Sequence, residues 1–153
     1  MGGNSLQVDL IQHKERMRQI CDFTGLKFGS ITPTDIDGMI EYHGIAYAVI
    51  EIKLRNKDVP GGQRKCLERL VCDMEAAGKF AVAMVVQHDV QDTTQSIIVA
   101  DCDVREVYWG EDPTWRKPRT PMKTRYALEL FMKMAIQKEK EQSEKSALEQ
   151  KGA

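Results

Sequence analysis

The run Ile45–Leu54 reads as a β-strand, and it carries two charges where a core strand should be apolar. Ile45, Tyr47, Val49, Ile50 and Ile52 are β-branched or aromatic and favour a pleated, half-buried surface. Glu51 and Lys53 sit inside that run. A buried charge is costly unless it is paired or bound to a metal, so both residues need an explanation. One explanation is an ion network of Glu51, Lys53 and Asp37. Another is a one-sided strand with both charges in water. A third is a functional site.

The flanking residues favour the third. Asp37–Tyr42 leads into His43-Gly44, and Gly44 takes a positive φ at no steric cost, so a hairpin is predicted there. Side chains alternate faces along a strand, which places Asp35 with Asp37 and Glu51 with Lys53. Pairing across His43-Gly44 brings Asp37 to the level of Ile50 and Glu51. Two carboxylates and an ammonium then converge at one end of the sheet.

The rest of the chain reads as support. Ser5–Phe23 has Leu6, Leu10, His13, Met17 and Ile20 at helical spacing, and Leu26–Ile31 reads as a short strand ended by Pro33. After the Pro/Gly-rich connector Arg55–Gly62, Gln63–Ala77 is predicted as a helix with Leu67, Leu70, Val71 and Met74 as its apolar stripe. Gln63 shares that core-facing side. Phe80–Val86 reads as a central strand, parallel to the Glu-x-Lys strand because a helix of crossover length joins them. Ser96–Ala100 and Val104–Trp109 are further predicted strands, Gly110–Pro121 is irregular, and Met122–Ile136 returns to helical spacing. The expectation is an α/β chain with a mixed central sheet and helices on both faces. Residues 1–136 make one domain, and 137–153, which alternates Lys and Glu, a charged helical or disordered tail.

Composition narrows the class. The net charge of −1 carries no global signal for nucleic acid, so such binding needs a local patch. The four cysteines, Cys21, Cys66, Cys72 and Cys102, are scattered with no C-x-x-C pair, which reads as reduced thiols of a cytoplasmic protein. No run is long enough to span a membrane, and no signal peptide is expected at the start. There is no G-x-S-x-G, no phosphate-binding glycine loop and no His pair at metal spacing.

Two carboxylates on adjacent strands, with the main-chain carbonyl of Ile52, make a set of hard oxygen donors suited to Mg²⁺, for which Mn²⁺ can substitute. Such an ion acidifies a bound water and neutralises charge on a phosphate. Lys53 stands where it can orient that water or stabilise developing charge.

Asp37, then Glu51-Ile52-Lys53, then a helix opening with Gln63 resemble the PD-(D/E)XK nuclease superfamily, and within it the Holliday-junction resolvase and phage-type nucleases. The resemblance covers roughly Glu15 to Val86 and rests on a short, degenerate motif. It implies a restriction-endonuclease-like αβββαβ core and Mg²⁺-dependent hydrolysis of DNA phosphodiester bonds in recombination, repair or phage DNA processing. It implies Asp37 and Glu51 as metal ligands, Lys53 as the catalytic lysine and Gln63 as an accessory residue. Glu15 would stand for the family's first-helix acid. One departure is that Pro33-Thr34-Asp35-Ile36-Asp37 puts proline directly before neither acid. Asp37 has the better spacing to Glu51, and Asp35 is the second candidate on the same strand face.

DNA, branched or single-stranded, would be met at the rims of the site. Arg55, Lys57, Arg64 and Lys65 flank the connector and helix start, and Trp115, Arg116, Lys117 and Arg119 form a second basic cluster. Phosphate contacts from such residues give affinity without sequence reading. Resolvase-type cleavage would add a symmetric homodimer. The alternative is a non-catalytic nucleic-acid-binding or assembly module on the same fold.

Overall fold

The computed structural model describes residues 20–110 and 112–152. The chain divides into two units, Met1–Thr34 and Asp35–Ala153. The described part of the first unit holds local turns. Thr24 donates its N–H and hydroxyl to Asp22 Oδ1, and Phe28 and Ile31 form an isolated bridge around Gly29, whose φ is +64°.

Two expectations fall in this unit. The helix over Ser5–Phe23 lies mostly outside the described residues, and its last four, Ile20–Phe23, are not helical. Leu26–Ile31 is not a strand. Phe28 and Ile31 pair only with each other and are 68% and 70% exposed, so no apolar face is buried to hold an extended run.

The second unit is a five-stranded sheet with one helix on each face. Strands β1 (Gly38–Tyr42) and β2 (Ala46–Leu54) form the hairpin, with Gly38 opposite Ile50. His43 and Gly44 both take positive φ in its turn. Helix α1 (Gly61–Ala76) crosses over to β3 (Phe80–His88), which runs parallel to β2 as predicted. Gly78, at φ +78°, ends α1, and the N–H groups of Gly78 and Lys79 take up the carbonyls of Glu75 and Met74. Strand β4 (Asp103–Trp109) pairs antiparallel with β3, and β5 (Asp112–Arg116) with β4. The strands lie in the order β1-β2-β3-β4-β5. Helix α2 (Thr124–Lys151) ends the described chain. The charged segment after 136 is therefore the second half of one continuous helix. Of the αβββαβ order, the described residues show β1-β2-α1-β3; the first helix and strand are not among them as regular elements.

The pleat sorts the core. Ala46, Ala48 and Ile50 of β2 and Val82, Met84 and Val86 of β3 face α2, where Ala127, Phe131 and Ala135 close over them. Phe131 stacks on Phe80 with ring centroids 5.5 Å apart. Val49, Ala81 and Ala83 face the other way, onto Leu67 and Val71 of α1. Each buried Val, Leu, Ile, Met or Phe side chain among them contributes about 1.5–3 kcal/mol, and each alanine methyl less. Glu51 and Lys53 follow Val49 at two-residue steps, so both point to the α1 face.

Two further expectations are corrected. Ser96–Ala100 is not a strand: Ser96–Ile98 is exposed coil, and Val99–Asp101 a 3-10 turn. The open edge of β3 is taken instead by Asp103–Trp109, whose Val104 and Tyr108 can be buried. Within Gly110–Pro121, Asp112–Arg116 is a strand. Its proline and charges suggest a loop, yet an edge strand tolerates both. No helix among the described residues is long and apolar enough to cross a membrane, and all four cysteines are free.

Candidate active site

The site forms where the hairpin meets the start of α1. Glu51 is only 1% exposed. Its neighbours on β2 make the strand a core element, and period-2 alternation leaves its carboxylate under α1. Lys53, one pleat further on, places Nζ 2.5 Å from Glu51 Oε1. Gln63, in the first turn of α1, donates from Nε2 to Glu51 Oε2 at 2.8 Å and lies 3.4 Å from the Asp35 carbonyl. Asp37 precedes β1 and accepts the Ile52 N–H at Oδ2, 2.7 Å away. Its side chain thus extends the hairpin one step beyond Gly38–Ile50. Lys53 and Gln63 thus meet on Glu51, Asp37 is tied to the neighbouring Ile52, and Asp35 touches Gln63 only through its main-chain carbonyl.

The electrostatics are not neutral. Burial pushes the Glu51 carboxyl above the usual glutamate range; the Lys53 hydrogen bond and charge oppose this, and the negative charges of Asp37 and Asp35 add to it. A cation beside Glu51 would relieve the same cost. The donors available to one are the Asp37 and Glu51 carboxylates and the Ile52 carbonyl, all hard oxygens that suit Mg²⁺. Among the described residues there is no group of three or more His, Cys, Asp or Glu side chains placed to hold a metal. Both Glu51 oxygens and Asp37 Oδ2 already accept contacts within the chain, from Lys53, Gln63 and the Ile52 N–H. Glu15 lies outside the described residues.

The basic residues separate into different roles. Arg55 is committed to a structural network: it pairs with Asp89 Oδ1 at 2.5 Å and Asp103 Oδ2 at 2.7 Å, and Lys123 holds the other oxygen of Asp103 at 2.6 Å. These acids raise the Arg55 pKa, Asp89 the more strongly. Lys57 is exposed on the connector, and Arg105 fastens its carbonyl at 2.6 Å. Lys65 is exposed on α1. Arg64 pairs with Glu106 and lies over the Trp115 ring, 4.6 Å from its centroid.

The second cluster is split by the pleat of β5. Trp115 joins the α1 face, packing near Tyr108 and donating Nε1–H to Glu68 at 2.7 Å. Arg116 emerges on the α2 face, paired with Asp112 and 5.1 Å above Trp109. Lys117 and Arg119 border that same face. The roles of Glu68 and Glu106 escape sequence reading because nothing local marks them. A bulge at Arg105 is what turns Glu106 and Tyr108 toward α1.

No protein-family model matches this chain, and neither a curated protein nor a solved structure does.

Proposed function

We propose that the chain is a metal-dependent nuclease that hydrolyses DNA phosphodiester bonds, directed by DNA structure rather than base sequence. The observation that carries this reading is the buried Glu51 carboxylate, flanked by Lys53 and Gln63 with Asp37 on the adjoining segment. A fully buried core strand gains nothing in stability from such a group.

In this reading Asp37, Glu51 and the Ile52 carbonyl would hold Mg²⁺, with Asp35 as the alternative acid. The ion would supply an acidified water and charge neutralisation on the phosphate. Lys53 donates an N–H to the attacking water or to a phosphate oxygen, and exchanges its pairing with Glu51 for that contact. Gln63 keeps the Glu51 carboxylate oriented from α1. Lys57 and Lys65 meet the DNA backbone at the rim. A symmetric homodimer would serve paired cuts in a branched substrate, and a cytoplasmic location fits the free thiols.

The test is incubation of the chain with supercoiled, linear, single-stranded and branched DNA in Mg²⁺, Mn²⁺ or EDTA. Cleavage should require metal and disappear in Glu51→Ala and Lys53→Ala. Intact DNA in every arm, or full activity in Glu51→Ala, would end the proposal.

A second reading is a non-catalytic nucleic-acid-binding or assembly module. It is favoured by the engagement of both Glu51 oxygens within the chain, which leaves the carboxylate partnered without metal. Salt-dependent DNA binding with no Mg²⁺ uptake in calorimetry would select it.

A further inference from the structure

Helix α2 covers only part of its sheet face. Beside it lies a groove of about 850 Å³, floored by Val82, Met84, Val107 and Trp109 and walled by Leu130 and Met134 of α2. The volume falls within the roughly 300–1,000 Å³ of small-molecule sites. The groove follows α2 from Ala127 to Lys145, which is about 27 Å of helix at 1.5 Å per residue. Its shape is long and its floor apolar. Met134 is 56% exposed on its wall, although Phe131 and Ala135 beside it are buried.

The rim is positive. Lys117 and Arg119 border one side, and Lys138 and Lys145 extend along α2. None of these four forms an ion pair with a described residue, and they outnumber the two acids of the rim, Glu75 and Glu141, whose hydrogen bonds come from neutral donors and leave them charged. Glu75 accepts the Ala81 N–H at 2.8 Å, and Glu141 accepts from Gln137 at 2.8 Å. Arg116 is paired with Asp112. The groove therefore offers apolar surface and unbalanced positive charge together. A bare phosphate backbone would leave the floor unused, and a neutral chain would leave the lysines unused.

We infer that this groove binds a single-chain amphipathic anion: an alkyl or acyl tail along the floor, with a carboxylate, sulfate or phosphate head among Lys117, Arg119 and Lys138. The site lies on the sheet face opposite Glu51 and does not depend on the nuclease reading.

The experiment is calorimetric titration of the full chain with sodium dodecanoate below its micelle concentration. Decanoate and octanoate serve as shorter probes and dodecyltrimethylammonium as the cationic one. Saturable binding of one dodecanoate per chain is expected, weakening by roughly two- to fourfold for each methylene removed. The cationic probe should bind at least about tenfold more weakly, because it meets the same floor and the opposite charge. Met134→Glu should lower dodecanoate affinity about tenfold by placing a like charge in the wall, and Lys117→Glu with Arg119→Glu should do the same at the head. All three positions are exposed, so circular dichroism should report an unchanged fold. Absent or non-saturable binding, equal affinity for both charge types, or an unaltered Met134→Glu response would overturn the inference. So would binding to phosphatidylglycerol vesicles without binding of monomeric dodecanoate, since that assigns the cations to a membrane surface.

Discussion

Gln63 Nε2 lies 2.8 Å from Glu51 Oε2, and this hydrogen bond ties the first turn of α1 to strand β2. With Lys53 on the other oxygen, it lets a carboxylate stand in the core. Removing Lys53 alone, as Lys53→Met, leaves a buried charge held by one amide. The expected cost is about 3 kcal/mol at neutral pH. Glu51→Gln keeps the shape and removes the charge, so it should lie within about 1 kcal/mol of wild type or above it. The double variant should recover most of the Lys53→Met loss, because the two sites are coupled. Urea denaturation of the four proteins measures the cycle.

Glu51 also predicts a pH dependence. Burial is the main cause of its raised pKa. Between the ordinary glutamate range and the raised native value, the folded chain holds a proton that the unfolded chain has released. Stability therefore falls as pH rises across that window, and is flat with respect to this group above it. The difference in unfolding free energy between Glu51→Gln and wild type should grow through the window and then level off. A difference that is constant with pH, measured by urea denaturation in closely spaced buffers, contradicts the assignment.

Phe131 anchors α2 to the sheet. It is 3% exposed and stacked on Phe80. Phe131→Ala should cost about 3–5 kcal/mol through lost burial and the cavity left behind. Thermal unfolding followed by circular dichroism reads the drop.

The second half of α2 is held at the hairpin turn. Glu139 accepts the Tyr42 hydroxyl at 2.5 Å, and its other oxygen lies 2.9 Å from His43 Nδ1. These contacts, Tyr42 first, hold the Glu139 carboxyl below its usual range. Glu139→Ala should speed amide hydrogen exchange from Lys138 onward while leaving Thr124–Ala135 protected. Equal protection along the whole helix in both proteins would show that the clamp does not order it.

On the proposed nuclease reading, the rim residues make separable predictions for DNA binding. Lys65 is exposed, so Lys65→Ala should lower the salt slope of binding by about one. Arg55 is spent on Asp89 and Asp103, and Arg55→Ala should leave that slope unchanged. Fluorescence anisotropy across a salt series distinguishes the two.

Much of the site is legible in local sequence pattern. Alternation along Ala46–Leu54 puts Glu51 and Lys53 on one face, Gly44 places the turn, and the unbroken apolar run of Phe80–Val86 marks the central strand. The stripe of Leu67 and Val71 shows which side of α1 meets the sheet, and so where Gln63 points. These features follow from residues close in sequence, because pleat, helix period and turn chemistry are local.

Beyond the local pairs Glu51–Lys53 and Asp112–Arg116, the pairing of these charges is not local. Arg55 looks like a phosphate contact until Asp89 and Asp103, brought in by β3 and β4, neutralise it. Trp115 and Arg116 look like one cluster until β5 joins the sheet edge and its pleat sends them to opposite faces. The bulge at Arg105 breaks the period-2 pattern of β4, so that Val104 faces α2 while Glu106 pairs with Arg64 of α1. Local pattern thus identified β1, β2 and β3 and which of their side chains share a face, but not β5 or the bulge of β4. The pairs Arg55–Asp89, Arg55–Asp103 and Arg64–Glu106 are set by the fold, because they depend on register between segments far apart in the chain.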